Sequence, residues 1–155
     1  MMQTQIHASC VAFGDRAILI RGPSGSGKSE LVLRLIDGEG YGLGARLQRA
    51  ALVADDQVVL SLREGMIFAS PPLKLAGLLE IRGQGIVSVE FVENVALVLV
   101  VDLMPYEDIS RMPEPDTLTT ALLGLQLPCL ALDGHSAAGP ARLRSKCFSS
   151  GVKKR

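Results

Sequence analysis

The sequence predicts an α/β domain with a mixed, partly antiparallel sheet and few helices, built around a glycine-rich loop between a strand and a helix. Short apolar runs typical of strands outnumber the helical patterns. The two kinds of element do not alternate regularly, as they would in a doubly wound sheet. The stretch "GPSGSGKS", residues 22–29, separates an apolar run from an amphipathic one.

The 155 residues fit one domain. We assign residues 1–149 to it and 150–155 to a disordered basic tail. Sixteen basic side chains balance sixteen acidic ones, so the charge indicates neither a nucleic-acid nor a membrane partner. No secretory signal pattern is apparent, and the longest apolar run, "VALVLVVDLM", is about half the length that spans a bilayer. Cys10, Cys129 and Cys147 lack metal-ligand spacing, so we expect buried free thiols in a cytoplasmic protein.

The first half of the chain predicts strands around one helix. "VAFGDRAILIRG" predicts a hairpin with a turn at Gly14 and Asp15. Residues 28–36 have apolar side chains at helical spacing and predict a helix that ends near Asp37 and Gly38. Four glycines in residues 37–50 predict a mobile loop, and its part 38–44 could act as a lid. Residues 51–70 predict two strands joined by a turn at 63–65, ended by two prolines.

The second half predicts further strands and one weak helix. Residues 75–103 predict a short turn or helix, a loop bracketed by glycines, and a strand rich in Val and Leu. Residues 105–120 are polar and rich in proline, which predicts a connecting segment. "LPCLALDG" predicts a last short strand, and residues 137–149 predict a weak helix.

The motif G-x-x-x-x-G-K-[ST] is matched at residues 22–29, with a strand before it and a helix after it. Glycines allow the backbone N–H groups to wrap a phosphate chain, and the positive end of the helix adds to the attraction. A Lys reaches the phosphates and a Ser hydroxyl ligates Mg²⁺. The sequence therefore predicts a nucleoside triphosphate with Mg²⁺ on Gly22, Pro23, Ser24, Gly25, Ser26, Gly27, Lys28 and Ser29.

Phosphoryl transfer also needs a base near the acceptor and a second metal ligand. Two apolar runs end in acids: "LVADD" ends in Asp55 and Asp56, and "ALVLVVD" ends in Asp102. The adjacent pair is favoured because two carboxylates can divide the metal and proton roles. His7 lies fifteen residues before Gly22, and taken alone it indicates only a surface or satisfied core histidine.

Taken together, these residues resemble the catalytic, C-terminal-type domain of HPr kinase/phosphorylase. Four features carry the resemblance: "GPSGSGKSE", His7 upstream, "LVADD", and "LEIRGQGIVSV" at residues 79–89. It runs from His7 to Leu103 and continues weakly to "LPCLAL". It implies a P-loop fold of the phosphoenolpyruvate-carboxykinase type, in a short form that lacks the N-terminal domain of longer members.

The resemblance implies transfer of phosphoryl from ATP or pyrophosphate to a serine of HPr, a phosphocarrier of the sugar phosphotransferase system, and the reverse phosphorolysis. It gives Asp55 the role of general base, with His7 and Lys28 neutralising phosphate oxygens. It implies Mg²⁺ ligands at Ser29, Asp56 and Glu80. It also implies a protein-substrate or phosphate side shaped by Arg82, Gly83 and Gly85.

The sequence departs from the family pattern at two places, and two alternative functions stay open. The link between the P-loop helix and "LVADD" is longer than in the family, and "LDGHSAAGPAR" stands where longer members carry "RPGRN". His135 in that stretch receives no role, and homo-oligomer formation stays open. The alternatives are a nucleotide- or phosphate-sensing module without efficient phosphotransfer, and a small-molecule kinase. Asp55 and His7 beside the loop favour the protein kinase over a pure binder.

Overall fold

The structure is a computed structural model that describes residues 2–149, so the predicted tail at 150–155 lies outside the described residues. Three single turns of 3-10 helix cover Leu73–Leu75, Tyr106–Asp108 and Pro115–Thr117. The two α-helices are α1, Lys28–Asp37, and α2, Gly139–Phe148. The strands of the described part are β1 Met2–His7, β2 Ser9–Phe13, β3 Arg16–Arg21, β4 Ala51–Ala54, β5 Gln57–Arg63, β6 Met66–Ser70, β7 Leu78–Ile81, β8 Gly85–Ser88, β9 Val95–Leu103, β10 Thr119–Leu122 and β11 Leu125–Leu132.

The main sheet is mixed, which confirms the predicted fold class. Its order is β1-β5-β6-β9-β3-β2-β4, and β7 and β8 form a separate antiparallel hairpin. β9 is parallel to β3 along most of its length and antiparallel to β6 near its start. Its last residues pair in parallel with β11, which carries β10 as an antiparallel neighbour. Because β3, β9 and β11 are parallel, the loops that follow them meet at one edge of the sheet.

Helix α1 forms as predicted, and it ends at Asp37, where the sequence predicted its end. Leu31, Val32 and Leu35 recur at helical spacing, and all three are fully buried against one face of the sheet. Gly38 continues in an extended conformation, and its N–H still donates to the carbonyl of Arg34 at 3.3 Å. The helix therefore holds its first residues, Lys28 and Ser29, in a fixed position at the edge of the sheet.

Residues 51–70 form three strands where two were predicted. The acid pair interrupts the run, because Asp56 has a left-handed backbone with φ +69° and turns β4 into β5. β4 pairs with β2, while β5 pairs with β1 and β6. The chain thus crosses from one part of the sheet to another at the two acids, an arrangement that apolar patterning does not reveal.

The glycine-rich segment after α1 packs against α2 in this structure. A side chain at Gly42 would overlap the backbone of Arg144, and one at Gly44 would come within 2.8 Å of the carbonyl oxygen of Phe148. The backbones of Gly40 and Gln48 hydrogen-bond to each other in both directions. This segment does not line the cleft beside the P-loop.

The three cysteines are free, as predicted, but their burial differs. Cys10 is buried inside β2, whereas Cys129 and Cys147 are only half-buried. Burial raises the pKa of the Cys10 thiol far above its usual range, which keeps this group protonated and unreactive at neutral pH.

Candidate functional site

The P-loop, residues 22–27, connects β3 to α1 at the carboxyl end of the sheet. Gly25 and Gly27 have φ values of +81° and +96°, which other residues rarely adopt. The carbonyl of Gly27 accepts the first helical hydrogen bond, from Leu31 N, at 2.9 Å. A Cβ at Gly27 would lie 2.8 Å from the backbone of Gly134, so close packing also requires glycine here. The loop therefore presents its backbone at the positive end of the helix.

A cleft of about 460 Å³ opens beside this loop. That volume lies within the usual range for a small-molecule site. The cleft brings together parts of the P-loop, the turn after β4, the β7–β8 hairpin and the turn after β11. Its lining residues are Ser24, Gly25, Gly27, Lys28, Ser29, Glu30, Asp56, Glu80, Arg82 and His135.

Lys28 is positioned to meet an anion. Its side chain is buried, and Nζ donates to the carbonyls of Gly22 at 2.5 Å and Pro23 at 3.1 Å. Within residues 2–149, no carboxylate lies within ion-pair distance of this ammonium. A buried cation that is bonded only to neutral carbonyls favours a negatively charged ligand, and triphosphate oxygens would supply it.

Asp55 is buried behind Ser29 and does not line the cleft. Its carboxylate accepts hydrogen bonds from Ser29 Oγ at 2.9 Å, from Ser9 Oγ at 3.0 Å and from the backbone N–H of Glu80 at 3.3 Å. The sequence-based expectation placed the proton-accepting carboxylate here. The geometry instead places Asp55 beside the hydroxyl that would bind a metal.

Asp56 faces the cleft, and its side chain is 63% exposed. Its backbone is left-handed, and Oδ1 contacts His7 Nε2. His7 is the last residue of β1 and pairs with Gln57 of β5. The structure thus joins His7 to Asp56, whereas the sequence-based expectation gave it, with Lys28, the role of neutralising phosphate oxygens.

Ser9 links the two acids, and the sequence analysis did not identify it. This residue is fully buried at the start of β2. Its Oγ donates to Asp55 and accepts from the backbone N–H of Asp56 at 3.2 Å. A single serine in an apolar strand carries no distinguishing sequence signal. Only its position two residues after His7 could have pointed to it.

The β7–β8 hairpin brings Glu80 and Arg82 to the cleft. Gly83 and Gly85 have φ values of +89° and +100° and form the turn, which is closed by Gln84 N donating to Ile81 O at 2.9 Å. The two glycines do not line the cleft themselves. The motif therefore supplies two charged side chains on a tight turn.

The oxygen groups around Ser29 suit Mg²⁺ in composition. Asp55 lies beside Ser29 Oγ, and Glu80 lines the same cleft. Among residues 2–149, no group of three or more His, Cys, Asp or Glu side chains forms a complete metal cage. Mg²⁺ commonly binds to one or two carboxylates and completes its shell with phosphate oxygens and water. The residues present fit such a shared site.

Asp102, the other candidate acid, has a different partner. Its carboxylate receives two hydrogen bonds from the guanidinium of Arg21, at 2.7 and 3.0 Å, and one from Cys129 Sγ at 3.2 Å. Burial opposes the charged form, but the hydrogen bonds from Arg21 and Cys129 outweigh it and lower the pKa of the Asp102 carboxyl. Asp102 does not line the P-loop cleft. Its hydrogen bonds with Arg21 tie β9 to β3.

Comparison with known proteins gives one consistent family. The family model described as "HPr Serine kinase C-terminal domain" matches residues 1–133. An HPr kinase/phosphorylase of Clostridium tetani is 39% identical over 97 residues, 63% of this chain and 28% of that protein. One from Chlorobium phaeobacteroides is 34% identical over 139 residues, 83% of this chain and 38% of that protein. The chain thus spans less than half the length of these curated relatives.

A solved structure shows the same fold. The structure of the Hpr(Ser) kinase/phosphatase from Coxiella burnetii aligns with a TM-score of 0.72 and 25% sequence identity. The alignment covers 92% of this chain and 87% of that one. Neither helix of residues 2–149 has the length and apolar character needed to cross a lipid bilayer.

Proposed function

The chain belongs to the family of HPr serine kinase C-terminal domains, and from this premise we propose that it is an ATP-dependent protein-serine kinase. Its acceptor is the phosphocarrier protein HPr or a relative of HPr, and its place of action is the cytoplasm. One observation carries the proposal: the P-loop and Asp56, whose carboxylate contacts His7, line a common cleft. A protein that only bound nucleotide would need the loop and metal ligands but no acceptor-side carboxylate.

The nucleotide side uses the P-loop. Backbone N–H groups of residues 22–29 and the positive end of α1 bind the phosphate chain of ATP. The Lys28 ammonium exchanges its carbonyl partners for phosphate oxygens. Mg²⁺, when bound, offsets phosphate charge, and Ser29, Asp55 and Glu80 are the residues that would hold it.

The acceptor side uses Asp56. Phosphoryl transfer depends mainly on positioning and charge, and one base within reach of the acceptor hydroxyl is sufficient. The serine oxygen forms a bond to the γ-phosphorus, the bond to the β-phosphate oxygen breaks, ADP leaves, and Asp56 takes the serine proton. His7 fixes the orientation of the Asp56 carboxylate through the contact between Nε2 and Oδ1. The geometry therefore supports exchanging the roles that the sequence suggested for the two acids.

The same groups serve the reverse reaction, which the names of the relatives suggest. Inorganic phosphate attacks the phosphoserine, pyrophosphate forms, and Asp56 returns its proton to the serine oxygen. Arg82 lines the cleft beside Glu80 and supplies the positive charge that an incoming phosphate or phosphoserine needs.

The test compares the two neighbouring acids. HPr from the same organism is incubated with protein, Mg²⁺ and ATP labelled at the γ-phosphate. We expect Asp56→Asn to lower kcat by roughly 10²–10⁴-fold, because it removes the base but leaves the nucleotide loop intact. We expect Asp55→Asn to raise the Mg²⁺ concentration needed for both ATP binding and transfer.

Asp15→Asn is the matched control, since Asp15 is an exposed acid in the β2–β3 turn. Its activity should equal that of the parent protein. Asp55→Asn could instead abolish transfer without changing the Mg²⁺ concentration needed for ATP binding, while Asp56→Asn stays active. Asp55 would then be the base, as the sequence-based assignment has it. If ATP binds and no phosphocarrier is labelled, the protein is a nucleotide sensor.

A further inference from the structure

The turn between β11 and α2, residues 133–136, rests on the P-loop and carries His135. The Nε2 atom of His135 lies 2.9 Å from the carbonyl oxygen of Gly25, and its ring lines the cleft. A carbonyl oxygen can only accept a hydrogen bond, so Nε2 must carry a proton. This contact joins residues 110 positions apart in the sequence, and neither the sequence analysis nor the proposed mechanism uses it.

The turn is held rigidly from two sides. Within it, Asp133 Oδ1 accepts the N–H of His135 at 2.9 Å, and Asp133 O accepts that of Ser136 at 3.1 Å. From α1, the Arg34 guanidinium donates to the carbonyls of Ser136, at 2.5 Å, and Gly134. A side chain at Gly134 would overlap Ser26 O. His135 therefore stands on a support that packs backbone to backbone against the P-loop.

The bond to Gly25 matters most once a nucleotide binds. The loop is tied internally by Ser26 N donating to Pro23 O at 3.0 Å, and by the Lys28 bonds to Gly22 and Pro23. When the Lys28 ammonium binds phosphate oxygens, its hydrogen bonds to the carbonyls of Gly22 and Pro23 are lost. A side chain at Gly25 would meet no described atom within 4 Å outside its chain neighbours, so this side of the loop tip is open. The imidazole is then the side chain that still holds the tip of the loop.

We propose that His135 is a positioning residue of the nucleotide site, which fixes the Gly25 peptide so that the loop N–H groups face the phosphates. This inference rests on the proposed function for the identity of the ligand. It assigns His135, which lines the cleft, to binding, and His7, which contacts Asp56, to chemistry. Loss of the imidazole therefore weakens nucleotide binding without slowing the transfer step.

The chain has two histidines, which makes a matched pair of substitutions available. For His135→Ala we expect the Kd and KM for MgATP to rise roughly 3- to 10-fold, the equivalent of one hydrogen bond, with kcat within about twofold of the parent value. His135→Gln, whose side-chain N–H can donate to the same carbonyl, should recover most of the affinity. His7→Ala should show the opposite split, with lower kcat and unchanged Kd.

A direct readout needs no variant. ¹⁵N-edited NMR of the imidazoles should show a proton on Nε2 of His135, and its signal should shift when MgATP is added without acceptor. A neutral His135 with its proton on Nδ1, or a His135→Ala protein that binds MgATP as tightly as the parent, overturns the inference and leaves the kinase assignment standing. A parent protein that binds no MgATP overturns both.

Discussion

Asp55 and Asp56 are adjacent in the sequence, yet their carboxylates lie in different surroundings. Asp55 is 9% exposed and accepts three hydrogen bonds, whereas Asp56 is exposed and faces the cleft. The left-handed backbone at Asp56 produces the difference. Such a conformation in a residue other than glycine is uncommon and is often found at functional sites. One turn thus places two identical side chains in different chemical surroundings.

Ser9 should be needed to keep the two acids apart. Ser9→Ala removes a donor to Asp55 and an acceptor for the Asp56 N–H, and the latter becomes unpaired. We expect the free energy of unfolding to fall by about 1–3 kcal/mol and kcat to fall roughly tenfold. Urea unfolding and phosphotransfer rates measure the two effects.

Ser61→Ala is the control for this change, because Ser61 Oγ makes only an exposed hydrogen bond to Gln3 at 3.4 Å. It should alter neither quantity. A Ser9→Ala protein with the parent kcat would show that Ser9 does not position the acids.

Asp102 should make the stability depend on pH below the neutral range. Its pKa is lowered in the folded protein, mainly by hydrogen bonds from Arg21 and Cys129 that outweigh the effect of burial. The stabilisation is therefore fully present above the unfolded-state pKa of about 3.9 and disappears as the pH falls through the lower folded-state value. Asp102→Asn should cost roughly 1–3 kcal/mol at pH 7 and flatten the dependence below the unfolded-state pKa of about 3.9.

Urea unfolding at a series of pH values measures this slope, and Asp15→Asn serves again as the exposed control. An Asp102→Asn protein with the parent slope would mean that other carboxyls cause the acid sensitivity.

The sequence predicted which residue types gather at the site, and their roles stay predictions. Lys28, Ser29, Asp56, Glu80 and Arg82 follow from motifs, and the structure places all five around one cleft. The separation of the two acids depends on a single backbone dihedral that no pattern encodes. Ser9 and His135 act through contacts across 46 and 110 positions, so local sequence reasoning could not find them.

At the scale of elements, the site depends on three parallel strands that end together. β3 leads into the P-loop, β9 lies between the other two, and β11 leads into the turn at 133–136. The sequence predicted β3 and α1 to within a residue or two, because a helix with one buried face leaves a clear periodicity. It did not predict that the turn after β11 contacts the P-loop, since strand order depends on long-range pairing.

Gly134→Ala should disturb this contact. The added methyl group would overlap Ser26 O and lie 2.9 Å from Leu103 Cδ1, so the turn must move away from the loop. We expect weaker MgATP binding together with a lower Tm, measured by calorimetry.

Gly38→Ala is the matched control, because its nearest neighbour would be the Arg34 carbonyl at an ordinary 3.5 Å and its backbone is extended. It should bind MgATP as the parent does. Parent-like binding by Gly134→Ala would show that the loop does not depend on this support.

At the scale of the whole molecule, nucleotide binding should stabilise the fold. A ligand that binds only the folded state at 100 times its Kd adds about 2.7 kcal/mol to the free energy of unfolding. MgATP should therefore raise Tm. EDTA should remove most of this increase, because Mg²⁺ would be held jointly by protein side chains and by the phosphates of ATP. Thermal melts with ATP, Mg²⁺, both or neither measure this coupling. An equal shift from ATP without Mg²⁺ would argue against a shared metal site.

The overall architecture was predictable as a class but not as a topology. Irregular alternation of elements indicated a mixed sheet, and the structure has one. The partners of β9 could not be deduced, since its apolar residues suit any buried strand and it pairs with three different strands. The segment 38–50 was misread because its glycines allow close packing on α2 as readily as motion.

Strand β1 is at the end of the sheet order, is held by β5, and carries His7 as its last residue. Part of the proposed catalytic apparatus is thus attached mainly by an outermost ladder of hydrogen bonds, with Ile6 as a further contact to the core. Detachment of β1 from β5 would therefore abolish phosphotransfer and leave the nucleotide site intact. A short synthetic peptide that takes its place along β5 would accordingly inhibit phosphotransfer without competing with ATP.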